Sequence, residues 1–326
     1  MLTLLEASRD LMPFRQAMLE SPATMAYNAP WAPPQGTVPF PEEAWDAWLQ
    51  AWTDREPERF CGYLQAEDGT LVGEVCWHGF GQEMGVVIHA PYRGRGYGLE
   101  GLRLLAERAF RHGEISMLVN TFEADREPAL AVHERMGFVP VGEKDGVLTL
   151  RLTRERYEAL RRRRMLRALM DAMCDYDAGD ARRIHHFVKV HAFARQLGLA
   201  AGLDENTQFI LEAAAITHDI GIHLAEKLHG RCTGKLQEEL GPGEAEPMLA
   251  ALGFPPPAVR RVSFLIAHHH TTENVAGADW QLLLEADFLV NMVEDGLSAD
   301  AVRAAEQRLF RTEEGKRLLR CLAPQA

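Results

Sequence analysis

The spacing of apolar residues changes once along the chain. In the first 152 residues, short apolar runs such as Leu71–His78 alternate with stretches in which apolar residues recur every three or four positions. The short runs have the length of strands, and the longer stretches have the period of helices. From Thr153 onward the spacing is helical throughout. The pattern therefore predicts an α/β domain over residues 1–155 and an all-α domain over residues 156–326, with the core of the second at about 180–295.

Two segments of the first half depart from regular structure. Residues 28–41 contain five prolines, which remove backbone donors and fix φ, so an extended loop is expected there. Residues 91–98 contain three glycines between a predicted strand at 84–89 and a predicted helix at 99–111. Glycine lets the backbone approach a ligand closely, and the start of a helix presents unpaired N–H groups. With Arg93 and Arg95 adding positive charge, this glycine-rich turn predicts an anion site suited to a pyrophosphate.

The same turn carries a resemblance to a known family. Arg93, Gly96 and Gly98 match the Arg/Gln-x-x-Gly-x-Gly/Ala motif of the GNAT acyltransferase superfamily, which residues 1–153 resemble. The resemblance implies a mixed central sheet, acetyl-CoA or another acyl-CoA as cofactor, and transfer of the acyl group to a small-molecule amine. Its cofactor-binding residues would be Val86, Ile88, Arg93, Gly94, Arg95, Gly96, Tyr97 and Gly98.

The catalytic groups of this first half follow less directly from the resemblance. Residues 129–138 are similar to the family's Ala-x-x-Leu-Tyr-Glu-Lys-x-Gly-Phe helix, whose tyrosine is a general acid toward the thiolate in many members. This chain has His133 at that position, and an imidazole can also donate a proton near neutral pH. For the base that accepts the amine proton, Glu83 is the first candidate and Glu74 the second. Because the tyrosine is missing, an alternative stays open in which the N-terminal domain binds acyl-CoA as a regulatory module and does not catalyse acyl transfer.

The helical half places an imidazole and a carboxylate together at the end of an apolar run. Residues 209–216 are mostly apolar and are followed by His218 and Asp219. Polar groups that leave water need a partner, and a metal ion satisfies both side chains at once. Asp287 lies in a predicted helix that is apolar on nearly every side, where an unpaired charge would cost on the order of several kcal/mol. These residues therefore predict a metal site.

The order of these residues resembles that of the HD phosphohydrolase superfamily over about residues 180–295. Residues 183–190 are similar to its Arg-Ile-x-His-x-x-x-Val entry, which selects His186 over His185. The resemblance implies hydrolysis of a phosphoester and a divalent metal (Mn, Fe, Zn, Co or Ni), with Asp219 also in a catalytic role. The implied ligands are His186, His218, Asp219 and Asp287. Because successive helical residues point about 100° apart, the histidines at 268–270 cannot all reach one ion. One tightly bound metal is expected, with His268 or His269 as outer groups or ligands of a weaker second site.

Composition and charge bear on the binding partners and the cellular compartment of the protein. The net charge is −12 and the pI about 5.6, so the surface as a whole repels phosphate and stable nucleic-acid binding is not expected. The five cysteines are scattered without a Cys-x-x-Cys pair, which fits a reducing compartment. No apolar run approaches the ~20 residues of a membrane-spanning helix, and the first residues lack a signal-peptide pattern. These features predict a cytoplasmic protein outside membranes and leave its oligomeric state open.

Overall fold

The computed structural model describes residues 2–28 and 37–323 of the chain. Most of the proline-rich stretch, residues 29–36, lies outside the described residues. The chain divides into two compact units, Met1–Leu160 and Arg161–Ala326. The predicted change from α/β to helical structure is confirmed, whereas two independently folding domains divided near residue 155 stay a prediction.

The first unit alternates strands and helices. Its strands are β1 (Thr3–Glu6), β2 (Phe60–Gln65), β3 (Leu71–His78), β4 (Glu83–Ile88), β5 (Met117–Glu123), β6 (Val139–Lys144) and β7 (Val147–Thr153). Its helices are α1 (Met12–Leu19), α2 (Pro22–Asn28), α3 (Trp45–Trp52), α4 (Tyr97–Ala109) and α5 (Glu127–Met136). Helix α6 (Arg154–Tyr176) contains the boundary between the units.

The strands of the first unit form two antiparallel sheets, so the expected mixed central sheet is wrong. The strand order is β1-β2-β3-β4 in one sheet and β5-β7-β6 in the other. Strands β4 and β5 are neighbours, but no ladder joins them in the described part of the chain. Beside them, the Val119 N–H donates to the carbonyl of Gly81, which precedes β4, at 2.9 Å. The Val86 and Ile88 side chains of β4 line a cavity.

Alternate side chains of the first sheet face two different cores. Val75 and Trp77 of β3 pack with Leu102 of α4 in one core. Tyr63 of β2 packs with Trp45 of α3 in the other. Because side chains alternate along a strand, helices cover both faces of this sheet. The covered sheet holds β4, and with it the glycine-rich turn, in a defined place.

The described part of the second unit is helical beyond α6. Its helices are α7 (Ala181–Ala200), α8 (Glu205–Thr217), α9 (Gly221–His229), α10 (Gly234–Ala251), α11 (Pro256–Ile266), α12 (Ala278–Glu294), α13 (Ala299–Arg308) and α14 (Glu313–Leu322). Every residue of α8 from Gln208 to Thr217 is buried. This helix packs against α7, α11 and α12. His218 and Asp219 directly follow the last turn of α8 and therefore lie between packed helices.

Side-chain caps determine where the helices that carry these residues begin. The Asp180 carboxylate accepts from the N–H of Arg183 at the start of α7, and Asp204 accepts from the N–H of Thr207 at the start of α8. Such caps stabilise a helix by about 1 kcal/mol. Among the described residues, none of the helices combines the length and the apolar character that crossing a membrane requires.

Candidate active sites

A cavity of about 450 Å³ lies beside the glycine-rich turn of the first unit. Its walls come from the end of α2, β4, the turn, the first turns of α4, and α5. Of the residues predicted to bind the cofactor, the cavity is lined by Val86, Ile88, Arg93, Gly94, Gly96, Tyr97 and Gly98. The remaining one, Arg95, is exposed and lies over the Tyr92 ring at 5.8 Å. The structure thus brings together all but one of these residues.

The backbone of the turn presents N–H groups at this cavity. Gly94 and Gly96 have φ values of +78° and +84°, in the left-handed region that glycine adopts without strain. Gly96 is the N-cap of α4, so the N–H groups of Tyr97 and Gly98 have no acceptor within the helix. Unpaired N–H groups at a helix start bind anions, and the helix dipole adds to that attraction.

The Arg93 guanidinium is bonded to backbone carbonyls beside the cavity. It donates to the carbonyls of Ile88 at 3.1 Å, Ala23 at 3.1 Å and Thr24 at 2.8 Å. Burial lowers the pKa of Arg93. The side chain therefore ties the turn to α2, and three of its N–H groups are already committed before any anion arrives.

His133 lines the cavity but both of its ring nitrogens are occupied. Nδ1 lies 2.7 Å from the Ala129 carbonyl, to which it can only donate, and Nε2 lies 2.9 Å from the Asn120 amide nitrogen, from which it accepts. The ring is buried between Phe122 and Phe138, with centroids 5.1 and 5.0 Å away. Burial lowers the pKa of His133. The neutral ring has no proton to offer a leaving thiolate, and this geometry does not favour the predicted role as general acid.

The two candidate bases lie apart from the cavity lining. Glu83 is exposed at the first position of β4 and pairs with His78 at 3.1 Å, at the opposite end of the strand from Ile88. Glu74 is buried and forms an ion pair with Arg15. Arg15 in turn lies 4.2 Å from the Trp48 ring centroid. The Glu74 carboxylate is thus bonded to a guanidinium and does not line the cavity.

In the second unit, four predicted ligands converge. His186 Nε2 lies 3.2 Å from His218 Nε2, 3.2 Å from Asp287 Oδ1 and 3.6 Å from Asp219 Oδ2. His218 Nε2 lies 3.4 Å from Asp287 Oδ1 and 3.5 Å from Asp219 Oδ2. Donor atoms of a tetrahedral site with bonds of about 2.0–2.2 Å are separated by about this much. His185 is exposed on the same helix as His186 and contributes nothing to the cluster.

Hydrogen bonds on the far side of each imidazole orient the donor atoms. His218 Nδ1 donates to the Ala215 carbonyl at 3.0 Å. His186 Nδ1 donates to Glu294 Oε2 at 3.0 Å, and Lys189 pairs with the other oxygen of Glu294. With the proton on Nδ1, each Nε2 keeps a lone pair for a cation, as in many metal sites. Glu294 was not predicted, although it lies seven residues after Asp287 and hence on the same helix face.

The electrostatics of the cluster fit a bound cation. Burial alone would lower the pKa of His186, but the nearby Asp287 and Asp219 carboxylates raise it to about 9. Burial acts against ionisation of Asp219 as well, yet His218 and His269 lower its pKa to about 2. The two carboxylates thus require positive charge nearby, which protons on the imidazoles or a divalent cation can supply.

Two buried atoms have no hydrogen-bond partner in the described part of the chain and lie in or beside this cluster. They are Asp287 Oδ1 and His269 Nε2. His269 Nε2 lies 3.5 Å from Asp219 Oδ1, and His269 Nδ1 donates to the Ile266 carbonyl at 2.7 Å. Unpartnered polar atoms in a core are costly, and a cation bound here would give both atoms a partner. The residues present therefore fit a metal ion.

The three consecutive histidines point in different directions. His268 stacks on Phe264 at 4.2 Å between ring centroids, away from the cluster. His269 is buried beside the cluster, and His270 is exposed and bonded to Gln237. Donor atoms of Asp219, His269 and His270 nevertheless lie within 4.8 Å of one another. The geometry favours His269 over His268 as the outer group and leaves a second cation position open.

Comparisons with known proteins bear on the first unit. Residues 1–139 match the family model described as acetyltransferase (GNAT) domain. No curated protein matches the chain. A solved spermidine N-acetyltransferase of Vibrio cholerae, in complex with CoA and spermine, is similar at 14% identity and a TM-score of 0.41, over 48% of this chain and 98% of that one. A dodecameric structure of spermidine N-acetyltransferase from Vibrio cholerae matches at 13% identity and a TM-score of 0.39, over 48% and 95%. By the family match, the N-terminal part of the chain contains a GNAT acetyltransferase domain, as predicted.

Proposed function

We propose that the N-terminal domain transfers the acyl group of acetyl-CoA, or another acyl-CoA, to the nitrogen of a small amine. The observation that carries the proposal is the cavity at the start of α4, lined by unpaired N–H groups of a GNAT-type turn and by the side chains of β4. The turn would hold the pyrophosphate through backbone donors, and Val86 and Ile88 would lie along the pantetheine arm. The apolar lining around Val132 excludes water from the thioester.

Calorimetry with acetyl-CoA, followed by an acetylation assay, tests this proposal. The panel of acceptors contains spermidine, kanamycin, benzylamine and a peptide with a free N-terminus. Binding together with acetylation of any of these amines supports the transferase. A protein that does not bind acetyl-CoA contradicts it.

A second candidate is an acyl-CoA-binding regulatory module without catalysis. The occupied nitrogens of His133 favour it, because the residue at the usual position of the acid has no proton to donate. This candidate predicts tight binding of acetyl-CoA and no acetylation of the panel. The same two measurements therefore separate it from the transferase.

We propose that the C-terminal unit is an HD-like, divalent-metal-dependent phosphohydrolase. The supporting observation is the convergence of His186, His218, Asp219 and Asp287, with an unpartnered buried oxygen at its centre. A bound divalent cation would polarise a phosphoryl oxygen and make a bound water more acidic. Glu294 and the Ala215 carbonyl would hold the two imidazoles with their lone pairs facing the ion. The donor set of two imidazoles and two carboxylates is compatible with Mn, Fe, Zn, Co or Ni.

Elemental analysis of the purified chain tests the metal, and a panel of phosphomonoesters and phosphodiesters assayed with each metal tests the reaction. About one equivalent of metal with hydrolysis of a member of the panel supports the proposal. A metal-free protein that stays inactive with every added cation contradicts it.

A further inference from the structure

Another cavity, of about 510 Å³, lies in the helical unit and shares no residue with either site described above. Its lining comes from α6, α7 and Glu212 of α8. On α7, the lining residue His191 follows His186 of the cluster by five positions, so the two side chains point about 140° apart around the helix. The cavity therefore lies on a different side of α7 from the metal cluster.

The carboxylate of Glu212 is buried in this lining and already has hydrogen-bond donors. Its Oε2 accepts from His191 Nε2 at 3.0 Å, and its Oε1 accepts from Gln208 Nε2 at 2.9 Å. Burial opposes ionisation, but these two hydrogen bonds lower the pKa of Glu212. The network joins α7 to α8, and it gives the cavity a fixed polar wall whose negative charge is already compensated.

Three guanidinium groups line the same cavity from two helices. Arg163 and Arg167 lie four positions apart on one face of α6, and Arg195 lies on α7. Among the described residues, Arg163 has neither a hydrogen bond nor an ion pair. Arg167 Nε lies 4.0 Å from Asp171 Oδ2, and Arg195 Nε lies 3.8 Å from Glu212 Oε2. Both distances are too long for hydrogen bonds, so all three side chains keep N–H donors for a ligand.

The charges in this cavity favour an anion. Arginine stays protonated at every pH at which proteins fold. Of the two lining carboxylates, Glu212 is compensated by its donors, and the side chain of Asp171 is 72% exposed, where water screens its charge. The local excess of positive charge contrasts with the net charge of −12 of the whole chain.

The neighbouring arginines do not extend this site along α6. Arg162 pairs with Glu205 at 2.6 Å, and Arg164 is exposed and outside the lining. A long polyanion would also meet the acidic remainder of the surface, which repels it. The cavity therefore suits a small anion better than a nucleic acid.

The arrangement of the guanidinium groups favours phosphate over carboxylate. The two oxygens of a carboxylate lie in one plane, whereas the terminal oxygens of a phosphate ester point in three directions. A phosphate can thus accept from α6 and α7 at the same time, and arginine binds it through paired N–H groups. Leu166 and Met170 add an apolar surface to the same lining, next to which an organic group can pack.

We propose that this cavity binds a small organic phosphate. Arg163, Arg167 and Arg195 would donate to the phosphate oxygens, and Leu166 and Met170 would contact the organic group. The site would be separate from both the acyl-CoA cavity and the metal cluster, because none of its lining residues belongs to either.

Calorimetry of the full chain tests the proposal, with AMP and phenyl phosphate as probes. EDTA is present throughout, so that no metal recruits phosphate to the cluster. Adenosine and phenol are the matched probes without a phosphate, and inorganic phosphate is the probe without an organic group. At least one of the two phosphate esters should bind, more tightly than inorganic phosphate and more tightly than its matched alcohol.

Three variants locate the binding. In Arg163→Gln the Kd for the phosphate ester should rise about tenfold, because a charged donor is lost. This substitution removes no contact within the protein, so the fold should not change. Arg164→Gln is the matched control and should stay within about twofold of the parent. Asp171→Asn should bind about two- to threefold more tightly, because it removes an exposed carboxylate beside Arg167.

Several results would overturn the proposal. If neither ester binds, or if Arg163→Gln keeps the parent affinity, the cavity is not a phosphate site. Equal binding of inorganic phosphate would indicate an adventitious ion only, and equal binding of adenosine or phenol would show that phosphate is not recognised. An equal loss in Arg164→Gln, together with tighter binding of a single-stranded oligonucleotide, would make residues 161–164 a nucleic-acid surface instead.

Discussion

The cavity of the first unit is built mainly from neighbouring residues, whereas the cluster of the second unit joins residues about a hundred positions apart. The turn from Arg93 to Gly98 supplies its N–H groups within six positions, and β4 precedes it directly. The cluster needs α7, the end of α8 and α12 to pack together before His186, His218 and Asp287 meet. The cavity depends on the backbone conformation of the turn and on unfilled space between β4 and α5. The cluster depends on the balance between buried carboxylates and positive charge. Substitutions should therefore damage the two sites in different ways.

The largest effect is expected at the cluster. His218→Ala and Asp219→Ala each remove a donor from a four-donor site, so metal affinity should fall by more than about 100-fold. Acetyl-CoA affinity should not change, because every residue that lines the cavity lies in the first unit. Elemental analysis after dialysis and calorimetry with acetyl-CoA measure the two properties.

His185→Ala is the matched control for that experiment, since His185 is exposed on the same helix as His186. It should keep its metal, while His186→Ala should lose it. Full metal retention in Asp219→Ala, or metal loss in His185→Ala alone, would show that the ligand set is wrong.

The next largest effect is expected when a side chain is added at Gly98, in the glycine-rich turn. A Cβ at Gly98 would lie 3.9 Å from Ile88 Cγ1 and from Val132 Cγ1, which is ordinary contact, so Gly98→Ala should fold normally. The added methyl group would occupy the space between β4 and α5, and acetyl-CoA should bind about tenfold more weakly, or about 1.4 kcal/mol. Gly96 is less suitable, because its φ of +84° strains any other residue.

Gly142→Ala provides the control for the methyl group. Gly142 lies in β6, and a Cβ there meets no atom within 4 Å. Calorimetry should give the parent affinity for this variant. Equal binding by Gly98→Ala and the parent would mean that the ligand does not pass between β4 and α5.

A smaller effect distinguishes two buried carboxylates on one helix. Glu285 accepts from the backbone N–H of Arg311 at 2.7 Å and of Thr312 at 3.1 Å, so it stabilises the start of α14. Asp287 Oδ1 has no hydrogen-bond partner among the described residues and faces the two imidazoles of the cluster. Glu285→Gln should lower the unfolding free energy by about 1.5–3 kcal/mol without changing metal content.

Asp287→Asn should show the reverse. Its metal affinity should fall about 10- to 100-fold, while its stability in chelator stays near that of the parent. Urea titrations with and without Mn²⁺ measure both quantities. If Glu285→Gln lost metal and Asp287→Asn lost only stability, the two roles would have to be exchanged.

The smallest effect is a pH dependence in the first unit. Burial lowers the pKa of His133, so the unfolded chain binds a proton more readily than the folded one. The stability from neutral His133 is present above the ordinary histidine pKa of about 6.5 and is lost as pH falls below it. His133→Gln should flatten this loss between about pH 7 and about pH 5. Unfolding of both proteins in urea checks this, and identical slopes would contradict a buried neutral imidazole.

Local features were already decided by the order of the residues. The apolar periods located the strands and helices, glycine at 94, 96 and 98 marked the turn, and the apolar run before His218 marked a buried polar pair. These signals are short in range, because propensity, turn geometry and caps depend on residues a few positions apart. That is also why the α/β domain and the helical half followed from the sequence.

Contacts between distant elements were decided only by the tertiary structure. Strands β4 and β5 belong to two separate antiparallel sheets, not to the expected mixed sheet. Asn120 and the Ala129 carbonyl form hydrogen bonds with the two ring nitrogens of His133. The Arg93 guanidinium donates to three backbone carbonyls. Packing likewise placed Tyr27 in the wall of the cavity and Glu294 within hydrogen-bond distance of His186, and neither residue was predicted to lie at a site. Each depends on which side chains meet when helices and sheets pack, and a hydrogen bond or ion pair forms only over a few ångströms. The residue types in the sequence limited the reactions that each site could carry out. The packing of the elements determined which donor and acceptor atoms remain free for such a reaction.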